Sequence, residues 1–301
     1  MRINPLEPDD LIHFVAPSGA IGASVSLRQA VAQTKAWGFR AILRLPDART
    51  SPKHYAFAGS DAERLQHLQH ALDDPAVRAI ICLRGGYGLT RILDQLDFSR
   101  FHASPKWVVG FSDITALHLK LQALGFPSIH GPMPAQWQNE HNTDTLYCAL
   151  SGRPYQVGGR LLSGTIPTHT TSELVGGNLS LVVDSLGTAT EIQTRGKILF
   201  LEETQEAPYR IDRMLCQLQR AGKLDQLAGC ALGDLFSDHK PEYTDLLLDY
   251  FGQRPYPVVA GLMVGHCPTN LALRMGSSVA LDTESNGGVT LSFPAICPPE
   301  H

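Results

Sequence analysis

The chain has 301 residues, 43% hydrophobic and 18% charged, with 25 Lys plus Arg against 29 Asp plus Glu for a formal charge of −4. That length can bury a sizeable core as two domains or one large one, and the composition excludes a disordered chain. The charge balance gives no electrostatic ground for nucleic acid or an anionic membrane as partner, and no apolar run approaches a membrane span.

Glu7, Asp9 and Asp10 precede the first apolar run, 11–16, which is too short for a signal-peptide core, so no export signal is expected. Cys82, Cys148, Cys216, Cys230, Cys267 and Cys297 are scattered without a CxxC pair, and the expectation is reduced thiols in a cytoplasmic protein. The run 11–16 reads as a strand ended by the turn signal Pro17, Ser18, Gly19. Residues 26–37 carry Leu27, Ala30, Val31, Thr34 and Trp37 on one helical face, and Gly38 stops them. A strand over 39–45 follows. Ser60 and Glu63 form a capping box that opens a helix to about Leu72. Then come a strongly apolar strand, 77–83, a glycine turn, 84–88, and a helix marked by Leu89, Ile92, Leu93 and Leu96. A strand over 106–109, a tight turn over 110–113 and a helix over 114–124 complete an alternation that predicts a mostly parallel sheet covered on both faces.

Residues 151–172, richer in Gly, Thr and Pro, read as a linker or domain edge between an N-terminal domain, 1–150, and a C-terminal domain, 173–301. Beyond them, Gly176-Gly177-Asn178 precedes an apolar helix, 179–186. A strand over 197–201 ends in Glu202 and Glu203. Helices are predicted over 211–221 and 243–251, strands over 228–236 and 257–262, and a final strand pair over 278–281 and 288–293.

Ser112 follows a buried-looking strand and precedes a helix. Such a corner exposes a side chain at the carboxyl edge of the sheet and sets the Asp113 N–H at a helix N-terminus, as in a nucleophile elbow. Ile114 stands where G-x-S-x-G needs its second glycine, and Ser112 also suits an N-cap. The Gly85-Gly86-Tyr87-Gly88 turn either brings backbone N–H groups to a ligand or only needs positive φ, and it meets neither the dinucleotide fingerprint nor the P-loop pattern. A hydroxyl nucleophile needs a base and an orienting acceptor. Among 12 histidines, His67 and His70 sit on a polar helix face, and His118 suits packing. His266, in a loop after an apolar strand, is the candidate base, though a lone loop histidine is often inert. Glu202, ending the strand, either orients an imidazole or is one of two surface acids beside Glu203. No zinc-ligand spacing is present, and no metal or other cofactor is expected.

In order along the chain stand R-G-G-Y-G (84–88), G-F-S-D-I-T (110–115), H-G-P-M (130–133), G-G-N-L (176–179), I-L-F-L-E-E (198–203), Y-R-I-D-R-M-L from 209 and G-H (265–266). This set closely resembles the LD-carboxypeptidases of the S66 serine peptidase family, which also includes microcin C immunity peptidases. The resemblance implies an α/β protein: an N-terminal flavodoxin-like parallel-sheet domain and a C-terminal mixed α/β domain. It implies a catalytic triad of Ser112, Glu202 and His266, and an oxyanion hole from the backbone N–H groups of Gly86 and Asp113. The implied activity is release of terminal D-alanine from a muropeptide tetrapeptide in the cytoplasm, by a homodimer. Arg84, beside the glycine turn, could read the substrate carboxylate or form a structural salt bridge. Tyr87 is assigned with it to substrate binding. The rival readings are an immunity-type peptidase cutting peptidyl or aminoacyl nucleotides and a non-catalytic muropeptide-binding protein.

Overall fold

A computed structural model describes residues 1–22, 25–47, 55–166, 170–235, 241–283 and 288–297. In the first half, strands β1 (Leu11–Val15), β2 (Arg40–Leu43), β3 (Val77–Cys82), β4 (Trp107–Gly110) and β5 (Ser128–His130) alternate with helices α1 (Leu27–Ala36), α2 (Asp61–Asp73), α3 (Thr90–Leu93), α4 (Ser99–Ala103) and α5 (Thr115–Ala123). The strands run parallel in the order β2-β1-β3-β4-β5, the doubly wound flavodoxin-like arrangement. Alternation along each strand divides the core. Val15, Ile80, Cys82 and Val108 pack on one face of the sheet, and Ile12, Phe14, Ala79, Ile81, Trp107 and Val109 on the other. The Ser60–Glu63 capping box is formed and opens α2.

After α6 (Glu140–Leu150), the second half comprises β6 (Tyr155–Ser163), β7 (Thr170–Asn178), α7 (Leu179–Asp184), β8 (Ile198–Glu202), α8 (Pro208–Arg220), β9 (Gly229–Leu232), α9 (Pro241–Phe251), β10 (Val258–Ala260), β11 (Leu273–Met275), β12 (Ser278–Thr283) and β13 (Gly288–Phe293). Seven strands close a barrel in the order β10-β6-β13-β12-β7-β8-β9. Val157, Ile198, Phe200, Val259, Val279 and Leu291 fill its interior, while Leu199, Leu201 and Leu232 face a helical layer with Leu215 and Leu247. β11 leaves the barrel and pairs antiparallel with β5, so the barrel half supplies the sixth strand of the parallel sheet.

The structure corrects several boundaries. Residues 155–163 are barrel strand β6, and 170–172 open β7, so the linker reading of 151–172 does not hold; 167–169 lie outside the described residues. Gly158 and Gly159 hide the alternation of β6, and a Cβ on Gly159 would sit 2.7 Å from Val259 Cγ1. The strand expected over 228–236 stops at Leu232, and Phe236 lies outside the described residues. The helix expected over 89–96 is only the short α3. β5, β7, β11, α4 and α6 were not expected from the sequence.

Candidate active site

β4 delivers Ser112 to the carboxyl edge of the sheet. Ser112 adopts φ +63°, a left-handed conformation uncommon outside glycine, and opens a 3₁₀ turn, Ser112–Ile114, that leads into α5. The capping positions of the turn and of α5 are Phe111 and Ile114, neither with a side-chain capping bond, so the N-cap reading of Ser112 gives way to the elbow geometry. The Asp113 N–H lies in the first turn, where no intrahelical acceptor precedes it.

The glycine turn presses against this corner. A Cβ on Gly85 would fall 2.9 Å from Ser112 Cβ and 3.0 Å from Oγ, so only glycine admits the serine so closely. Gly86 takes φ +104° beside Gly19, whose N–H donates to Gly85 O at 2.9 Å. Buried Arg64 donates to Pro17 O and, at 2.9 Å, to Gly88 O, and pairs with Asp61. The buried Asp113 carboxylate accepts the Leu89 N–H at 2.9 Å and so ties the elbow to the end of the glycine turn. Burial pushes the Asp113 carboxyl up, and that bond restrains it. Arg84 is exposed and donates to Ala20 O at 2.6 Å, with no salt bridge among the described residues. Tyr87, 47% exposed, packs against Tyr55 and Phe57 with ring centroids 5.7 and 5.6 Å away.

The barrel supplies the other half. Alternation along β8 puts Ile198, Phe200 and Glu202 on one face, so the strand's interior row ends in a fully buried carboxylate. His266 follows Val264 and Gly265, and its Nδ1 meets Glu202 Oε2 at 2.8 Å. Gly265 has φ +118°, and a Cβ there would lie 2.6 Å from that same oxygen. With Glu202 ionised, the Nδ1–H donates and Nε2 is left as the acceptor. Burial pulls the His266 pKa down. The Glu202 hydrogen bond and the negative charges of Glu202, Glu203 and Asp234 reverse that pull, and the net shift is upward. Burial pushes the Glu202 carboxyl up, with His266 opposing. Phe111, the neighbour of Ser112, meets the His266 ring edge-on with centroids 4.9 Å apart. The structure thus joins Glu202 to His266 directly and brings the elbow residue before Ser112 against the same imidazole.

Glu203 is no surface acid either. It is 4% exposed and accepts Asn178 Nδ2 at 3.0 Å, the Ser180 N–H and Oγ at 2.9 and 2.6 Å, and the Thr204 N–H at 2.9 Å, an anion at the start of α7. His118 is buried and its Nε2 donates to Gly110 O at 2.8 Å, which supports the elbow from below; burial lowers its pKa to about 4. Buried His130 lies between Phe111 and Phe200, and burial holds it neutral. Residues to which the sequence assigned no individual role also support the site. Thr115 Oγ1 accepts the Asn178 N–H at 3.0 Å across the two halves, while Gln136, Asn142 and Asn270 surround the His266 loop. Gly177, where a Cβ would strike Thr115 at 2.6 Å, was the only local signal for any of these.

Residues 12–131 match the LD-carboxypeptidase N-terminal domain (Peptidase_S66) and 171–281 its C-terminal domain (Peptidase_S66C). By class the protein is a serine carboxypeptidase. It belongs to the LD-carboxypeptidase family: it is 36% identical to the putative carboxypeptidase slr1534 of Synechocystis over 96% of both chains. It is 36% identical to the probable murein peptide carboxypeptidase of Bacillus subtilis over 79% of each. The crystal structure of muramoyltetrapeptide carboxypeptidase from Oxalobacter formigenes superposes with a TM-score of 0.81 at 29% identity, covering 96% of this chain and all of that one.

Proposed function

We propose that this protein hydrolyses murein peptides in the cytoplasm, releasing the terminal D-alanine of a muropeptide tetrapeptide to leave a tripeptide. Ser112 is the nucleophile, His266 the general base and Glu202 the orienting carboxylate. The observation that carries this reading is the 2.8 Å His266–Glu202 contact with Phe111 against the same ring.

A serine hydroxyl is a weak nucleophile until a neighbour takes its proton. His266 Nε2 accepts the Ser112 proton as Oγ attacks the carbonyl of the diamino acid, while Glu202 holds the tautomer and stabilises the imidazolium. The N–H groups of Asp113 and Gly86 bind the tetrahedral oxyanion, a contribution of about 3–4 kcal/mol per donor. The imidazolium returns its proton to the leaving amine of D-alanine. Water, activated by the same imidazole, then frees the acyl group. Arg84 is the candidate partner of the substrate's C-terminal carboxylate and Tyr87 a wall of the substrate site; the family resemblance adds a homodimer, which light scattering would check.

Incubation with a muropeptide tetrapeptide should release D-alanine, detected by mass spectrometry, and the Ser112→Ala variant should not. Substantial D-alanine release by that variant would defeat the assignment. An aminoacyl-nucleotide assayed in parallel distinguishes immunity-type substrate choice, and an amidated peptide C-terminus tests whether a cation reads the free acid.

A further inference from the structure

The loop bearing His266 belongs to the barrel half by chain order, yet side chains of the parallel-sheet half hold it. Asn270 is fully buried, and its Oδ1 accepts the N–H of Gly265, immediately before His266, at 2.8 Å. Its Nδ2 donates to Gln136 Oε1 at 3.0 Å, and its own N–H donates to Asn142 Oδ1 at 2.7 Å. Gln136 Nε2 donates to the carbonyl of Cys267, immediately after His266, at 3.3 Å. Asn142 Nδ2 bonds Gln136 O and Pro268 O at 3.0 and 3.2 Å. Three residues past Asn270, β11 joins β5 with Leu273 opposite His130, and His130 in turn stands opposite Gly110 of the nucleophile strand.

The relay is directional. The Gly265 N–H can only donate, so Asn270 must present oxygen to it and nitrogen to Gln136. Gln136 must then accept from Asn270 and donate to the Cys267 carbonyl. Neither amide can flip without setting like poles together, and both flanks of His266 are fixed by one orientation. We propose that Asn270 and Gln136, which touch no reacting atom, are positioning residues that clamp the backbone on both sides of His266 to the half of the molecule carrying Ser112. The role rests on the triad reading above.

Three variants test it. Gln136→Met keeps most of the volume and loses both bonds. Gln136→Glu keeps the acceptor for Asn270 but sets a carboxylate against Cys267 O. Asn270→Asp keeps the acceptor for Gly265 and loses the donor to Gln136. Each should lower kcat by about 10- to 100-fold with KM nearly unchanged, the scale of roughly a 1 Å misplacement of a catalytic group. Gln136→Glu should be no better than Gln136→Met despite its closer shape. The groups around the imidazole are Glu202, Glu203, Asp234 and His130. Loosening the loop should weaken the Glu202 contact and move the His266 titration downward. An NMR titration reads this directly, with the ring signal identified by its loss in His266→Ala. It needs no substrate, so failure of wild-type protein to release D-alanine would reject the function without deciding the clamp. Half-buried Gln136 decides the matter if Asn270→Asp does not fold. A folded Gln136→Met variant with wild-type kcat and an unmoved His266 titration overturns the proposal, as does a loss of activity that tracks thermal stability alone.

Discussion

The two halves of the site are built by opposite means. At the Ser112 corner, backbone conformation carries the geometry: Gly85 admits the serine, Ser112 itself takes φ +63°, and Gly110 makes room for Ile114. At the barrel mouth, side chains carry it: a buried carboxylate, an imidazole and a relay of amides that crosses from Asn270 to Gln136 of the other half of the chain. Local strain fixes a nucleophile within a few residues, whereas a base must be oriented by partners far away in the chain. The first arrangement is breakable by adding a single methyl group, the second by changing a single donor or acceptor.

The largest effect should come from Ser112→Ala, with kcat for D-alanine release down by about 10⁶-fold and thermal stability nearly unchanged. Glu202→Gln should cost about 10⁴-fold, because the amide favours the wrong tautomer of His266. Gly85→Ala tests the backbone side of the comparison. Its Cβ would meet Ser112 Cβ at 2.9 Å, and a loss of about 100-fold in kcat is expected from the displaced hydroxyl. The pH profile sharpens the other side. Because His266 is shifted upward and must be neutral to act as base, kcat/KM should fall on the acid side with a midpoint above 6.5. In Glu202→Gln the midpoint of the residual activity should shift down from that of the wild type, since burial is then opposed only by the charges of Glu203 and Asp234. The smallest catalytic effect belongs to Glu203→Ala. It leaves the Asn178, Ser180 and Thr204 donors without their acceptor, so a stability loss of about 1–3 kcal/mol by chemical denaturation is expected, with kcat close to wild type.

This contrast also explains what could be read from residues alone. The alternation of strands and helices in 11–124 was legible because its strands are short, mostly apolar runs set between helical patterns, and the elbow was legible because all its parts lie within 110–114. Glu202 stood out as a carboxylate after four apolar residues. β6 was not legible: Gly158 and Gly159 carry no pattern, and of its residues only Val157 is buried. β11 spans three residues and exists because β5 offers an edge. Asn270 and Gln136 had no signal at all, since each amide acquires meaning from a partner more than a hundred residues away. The buried role of Glu203 was hidden because its main partners, at 178 and 180, stand on a different element, where β7 passes into α7.

The antiparallel seating of β11 on β5 has a consequence for biosynthesis. The ribosome releases the five parallel strands long before residues 273–275 exist, so β5 emerges with one ladder of amides and carbonyls uncovered. Such a naked edge invites pairing with a neighbouring nascent chain. A fragment ending after α6 should therefore self-associate, and co-expression of the remaining residues should return it to solution.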